Sequence, residues 1–283
     1  LMRQSGESLA GRIAYIDLGP FSPLEIENQR PARERLWLRG GFPDSYLAAN
    51  DRDSLALRKD FLRTYLERDV PMFGPRIPAT TMGRLWTMLA HRQGTLLNAS
   101  ELARSLEIST QSVTRYIDLL CDLLLVRRLP PYHVNIGKRL VKSPKVYVRD
   151  SGLVHALLGI GTLEQLAGHP VVGASWEGFV LESLLSVLPW RSSAFFYRTS
   201  AGAEIDLVLE HSDGTLWAIE IKRGLSARVE RGFHNAYEDL KPARAFLVHA
   251  GEDRYPVSEQ LEAIGLRELM NELQQPLQNQ AVS

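Results

Sequence analysis

The chain has 283 residues, 45% hydrophobic and 23% charged, and its 33 basic and 33 acidic side chains give a formal net charge of zero. Such a composition is ordinary for a globular chain of one to three domains. It sets up no global field to attract nucleic acid or a membrane surface, so charge has to be read locally. The lone Cys121 excludes an internal disulfide and a cysteine-only zinc site, and no apolar run approaches the ~20 residues of a membrane-spanning helix. A cytoplasmic protein without membrane partners is the expectation. The chain opens at Leu1, inside what reads as a helix, as a fragment or a product lacking a preceding domain would.

Residues 4–11 read as a polar helix and 12–18 as a strand, ahead of the turn-rich Pro20-Phe21-Ser22-Pro23-Leu24. Gly40-Gly41-Phe42-Pro43 is a turn. It lacks the Lys and Ser or Thr of a phosphate-binding loop, and the chain has no such loop elsewhere, so ATP binding by this chain alone is not expected. Over 51–70 the later apolar residues, Phe61, Leu62, Tyr65 and Leu66, recur at helical spacing and predict an amphipathic helix. Pro71 and Phe73-Gly74-Pro75 are expected to end it and to close a first segment, 1–75.

Residues 76–150 read as a winged helix-turn-helix: helices over 81–91, 98–106 and 111–125, then a wing of 126–132 paired with 145–149. In the third helix Val113, Ile117 and Leu120 face inward, leaving Gln111, Ser112, Thr114 and Arg115 outward. Those residue types contact base edges and phosphates when such a helix enters a major groove. Between 123 and 149 stand Arg127, Arg128, Lys138, Arg139, Lys142, Lys145 and Arg149 with no acidic residue. This local excess suits phosphate contacts, with Lys138, Arg139, Lys142 and Lys145 as the candidates. An acidic protein partner would suit it as well.

Beyond 150 a capped apolar helix, a longer helix over 172–188 and a strand over 194–198 lead to the most informative stretch. Glu204-Ile205-Asp206-Leu207 and Ile219-Glu220-Ile221-Lys222 flank Ser212-Asp213-Gly214, a hairpin signal. With a three-residue loop, Asp206 lies opposite Glu220 and Glu204 opposite Lys222. Strand alternation then puts all four on one face, with Ile205, Leu207, Ile219 and Ile221 on the other. Two carboxylates meeting beside an ammonium suit a divalent cation such as Mg²⁺ or Mn²⁺. A hairpin with a charged, solvated outer face has the same spacing. A helix over 231–240, a strand over 245–249 and a helical tail carrying Leu261, Ile264, Leu266 and Leu269 complete a mixed α/β sheet unit, 151–283.

Asp206 followed by Glu220-Ile221-Lys222 resembles the PD-(D/E)XK nuclease-like superfamily. In that fold a preceding helix adds an acid, for which Glu177 is the first candidate and Glu182 the second, and Arg198 could meet a phosphate. Together with Arg128-Leu129-Pro130-Pro131-Tyr132 and the 138–147 run, the chain resembles the C-terminal part of a prokaryotic AAA-type ATPase family with a nuclease-like end domain of unknown function. The resemblance implies a mixed α/β chain in three parts: a remnant of ATPase core and helical lid, a winged helix-turn-helix and a restriction-endonuclease-like sheet. Arg12 could then act on a neighbour's nucleotide, or simply sit at a helix end favoured by the dipole. The implied function is nucleic-acid binding with Mg²⁺- or Mn²⁺-dependent phosphodiester hydrolysis. Asp206, Glu220 and Glu177 would hold the metal, and Lys222 would position water. The alternative is a non-catalytic DNA- or protein-binding module that keeps the fold. Implied partners are DNA or RNA and a missing or separate ATPase core, with homo-oligomerisation left open.

Overall fold

The computed structural model describes residues 18–73, 77–133, 140–224 and 229–275. The expected helix over 4–11, the strand over 12–18 up to its last residue, Arg12, Lys138 and Arg139 lie outside them. A proline in the first turn starts α1 (Arg30–Arg39), and Gly40 at φ 77° ends it. A short α2 (Pro43–Tyr46) precedes α3 (Asp51–Thr64), whose N-cap Asn50 accepts a hydrogen bond from the Asp53 N–H at 2.9 Å. The expectation that Pro71 stops this helix is not met. The chain widens into a π-helical turn over Tyr65–Asp69 and continues as α4 (Val70–Phe73). A proline has no N–H to give the carbonyl four residues back, and the wider turn lies directly ahead of it.

The next part follows the expected order: α5 (Ala79–His91), β1 (Thr95–Leu96), α6 (Ala99–Leu106), α7 (Thr110–Asp122), β2 (Val126–Leu129) and β3 (Lys145–Val148). The strands form an antiparallel sheet in the order β1-β3-β2. Side chains of Asn98 and Ser109 cap α6 and α7. Val113, Ile117 and Leu120 are buried, while Gln111, Thr114 and Arg115 are exposed and Ser112 is half-buried, as the helical period requires.

The rest comprises α8 (Ser151–Leu157), α9 (Leu163–Ala167), α10 (Val172–Leu185), β4 (Ser193–Arg198), β5 (Glu204–Glu210), β6 (Leu216–Ile221), α11 (Arg231–Leu240), β7 (Arg244–His249), β8 (Tyr255–Ser258), β9 (Leu261–Gly265) and α12 (Leu266–Gln274). The six strands run β4-β5-β6-β7-β9-β8, with β6–β7 and β7–β9 parallel. The tail expected to be wholly helical is therefore first a strand. Leu261 packs into one hydrophobic cluster and Ile264 into the other, so both faces of β9 are covered and its apolar run shows no clean alternation.

One face of this sheet packs against α10 and α12 through Leu207, Leu209, Trp217, Ile219 and Phe246. The other packs against α11 through Val208, Ala218 and Leu247 with Phe233 and Ala236. The α10-side cluster reaches from Leu36 to Leu273 and includes side chains of all three segments read from the sequence. At its N-terminal end Asp150 caps α8 through Leu153 N–H and also accepts from Gly41 N–H, both at 2.8 Å. Arg58 donates to the Leu38 and Gly152 carbonyls.

Candidate functional site

The hairpin has the expected register. His211 N–H donates to the Thr215 carbonyl at 2.9 Å, and Leu207 lies opposite Ile219. The expected division of faces needs correcting. Phe195 pairs with Val208 but Tyr197 pairs with Ile205, so Phe196 opposes both Asp206 and Leu207. That is a β-bulge on β5, which adds a residue and reverses the alternation beyond it. Ile205 accordingly joins the α11-side cluster while Leu207 stays with α10.

The bulge lets Glu204 and Asp206 meet Glu177, which projects from α10. The group at their meeting point was not assigned there from sequence. Lys145 Nζ lies 3.0 Å from Glu204 Oε1, 3.3 Å from Glu177 Oε1 and 3.5 Å from Asp206 Oδ1. Lys145 is 3% exposed and its ammonium sits 5.6 Å from the Phe196 ring centroid. Expected from sequence as a phosphate contact, Lys145 is here enclosed and paired with carboxylates instead. The sequence offers only that Lys145 and Tyr147 alternate on β3 and so share a face, which does not name the acids they meet. Tyr147 completes the holder, its hydroxyl donating to Glu177 Oε1 at 2.6 Å.

Glu220 and Lys222 form the second half of the cluster. Lys222 Nζ lies 2.8 Å from Glu220 Oε1, whereas Glu220 Oε2 is buried with no hydrogen-bond partner. Asp206 Oδ2 accepts from the Ile221 N–H at 3.0 Å, which draws the end of β6 toward β5. Burial first, and the neighbouring Asp206 second, push the Glu177 carboxyl up to about 7 and the Glu220 carboxyl up to about 8. Glu177, Glu204, Asp206 and Glu220 thus face the ammoniums of Lys145 and Lys222 and, at the rim, the Arg198 guanidinium 3.5 Å from Glu204. Four acids face three cations, and the raised Glu177 and Glu220 carboxyls hold protons in place of a further cation. Among the described residues, no three His, Cys, Asp or Glu side chains are arranged to hold a metal ion, so the expected Glu177, Asp206 and Glu220 set is not preformed. Glu177 is turned to Lys145 and Tyr147 instead.

Part of the basic strip is engaged with acids of this chain. Arg127 and Arg149 both bind Glu182 of α10, the second candidate acid, and Arg128 pairs with Asp118 at 2.7 Å. Lys142 is exposed. Arg198 lines a groove of ≈ 900 Å³ together with Arg92, Gly94, Thr110 and Ser143 among others. A Cβ on Gly94 would stand 3.3 Å from Glu177 Oε1, so the groove wall at this glycine adjoins the carboxylate cluster.

Two family models each match a part of the chain. Residues 30–164 match the family model of a domain of unknown function, DUF8612, and residues 172–269 that of another, DUF4143. Uncharacterized proteins of Mycobacterium tuberculosis and Mycobacterium bovis are each 45% identical over 264 residues, which is 93% of this chain and 59% of theirs. The chain thus spans about three-fifths of the length of the curated relatives it matches. No solved structure matches it. Among the described residues no helix is long and apolar enough to cross a membrane.

Proposed function

We propose that this chain is the nucleic-acid-binding C-terminal region of an AAA-type ATPase and carries a metal-dependent phosphodiesterase site of the PD-(D/E)XK kind. The carrying observation is the pair Asp206 and Glu220: both are buried, they repel one another, and one Glu220 oxygen has no partner. A buried carboxylate oxygen left unpaired is costly, and a cation between the two would remove the cost. Asp206 and Glu220 would hold Mg²⁺ or Mn²⁺, which uses one or two carboxylates and supplies positive charge against a phosphoryl oxygen. Lys222, half-buried beside Glu220, would orient the attacking water, and Arg198 at the rim would meet the phosphate. The helices α5 to α7 with the β2–β3 hairpin serve as the winged helix-turn-helix that holds the polymer. DUF4143 domains stand at the C-terminus of AAA-ATPase-like proteins, which supports an ATPase core in a preceding segment or a separate chain.

The position of Lys145 among three carboxylates favours a second reading, a binding module whose nuclease-like site is closed by its own ammonium. The test incubates plasmid and single-stranded DNA with the protein in Mn²⁺, Mg²⁺ or EDTA. Cutting that needs metal and is lost in Asp206→Asn supports the enzyme. DNA left intact in every condition but retained by the protein at low salt supports the module.

A further inference from the structure

A buried lysine shared by three carboxylates normally reads as a structural rivet, and three features of Lys145 do not fit a rivet. Its partners outnumber it: Glu204 Oε1, Glu177 Oε1 and Asp206 Oδ1 lie at 3.0, 3.3 and 3.5 Å, two of the three contacts being long for a charged hydrogen bond. It comes from the other half of the chain, reaching from β3 to side chains on α10 and β5. It also stands directly beside a buried carboxyl oxygen without a partner, since Asp206 holds Lys145 through Oδ1 and neighbours Glu220, whose Oε2 has none. Lysine carries a compact charge on a flexible four-carbon stem and can withdraw from such a cluster where a forked guanidinium would be held. Room is close by, because Gly94 offers no side chain against Glu177 and opens onto the groove.

We infer that Lys145 is the resident counter-ion of this carboxylate cluster, and that a divalent cation binds at Asp206 and Glu220 in competition with it. The inference rests on reading Asp206 and Glu220 as cation ligands. It adds that the helix-and-hairpin half of the chain sets the affinity of the site. Lys145 is a positioning residue: it keeps the carboxylates together without metal, and its ammonium repels an incoming cation until it leaves.

The experiment measures Mn²⁺ binding to the full chain by calorimetry for the wild type, Lys145→Met, Lys145→Arg and Asp206→Asn. Lys145→Met is expected to bind Mn²⁺ at least about tenfold more tightly than wild type, as removal of a like charge a few ångströms away requires. Lys145→Arg, which keeps the charge, is expected to bind no more tightly than wild type, and Asp206→Asn to lose binding. Equal or weaker binding by Lys145→Met, with wild-type binding that Asp206→Asn abolishes, overturns the inference and leaves the cation site standing. Absence of binding in both wild type and Lys145→Met removes the cation site and the inference with it. Because Lys145→Met could fail to fold without metal, the wild type supplies a second measurement. Amine-reactive labelling read by peptide mass spectrometry should find Lys145 protected in EDTA and labelled at saturating Mn²⁺. Protection that saturating Mn²⁺ leaves unchanged overturns the inference.

Discussion

Glu220 takes up its proton at about pH 8 in the folded chain, against an ordinary value of 4.5, because burial and Asp206 both oppose its charge. The folded state therefore binds more protons than the unfolded one between about 4.5 and 8. Stability must fall as pH rises through that window and level off above it. Glu220→Gln removes the contribution. In EDTA it should be more stable than wild type at pH 8.5, by on the order of 3 kcal/mol, and nearly equal to it at pH 4.5. Urea unfolding at several pH values checks this, and parallel stability profiles for the two proteins would refute it. Glu220 and Lys222, with Asp206 across from them, were legible because an Asp-Gly turn sets the hairpin register by local rules, whereas the bulge beside Asp206 was not legible. Nor was Lys145, since its sequence neighbours are basic and only a long-range contact reveals that its partners are acids.

At the scale of elements, local signals predicted the helices well and failed where packing supplied the decisive term. The bulge on β5 has no composition mark, yet it decides which acids meet. The β9 strand reads as helix because its apolar residues serve two cores at once. The join between α1 and α8 is closer still. A Cβ on Gly152 would lie 2.2 Å from the Arg39 carbonyl oxygen, with backbone on every near side. Gly152→Ala should therefore destabilise the fold by about 3 kcal/mol, measured by chemical denaturation. A loss below about 1 kcal/mol would mean that the two helices can separate at little cost.

Across the whole molecule, α10 is gripped twice by the β2–β3 hairpin. Lys145 and Tyr147 hold Glu177, and Arg127 and Arg149 hold Glu182 further along the helix. Four groups of the hairpin are thus spent on internal contacts. Among the described residues, the proposed nucleic acid would have the outer side of α7 with Lys142 and the groove that leads past Gly94 to Arg198. Arg115→Ala with Lys142→Ala should lower the slope of log affinity against log salt by about two for duplex DNA. Fluorescence anisotropy across a salt series checks this, and an unchanged slope would clear that face of phosphate contact.

The sequence alone determined the mixed α/β class, the order helix, hairpin, helix and sheet, and the hairpin register, because these follow from periodicity, capping and turn chemistry over neighbouring residues. Only the tertiary structure decided which charges are free. Whether a lysine meets solvent or three carboxylates depends on how a strand of one half is laid against a helix and a bulged strand of the other. No interaction between sequence neighbours encodes that placement.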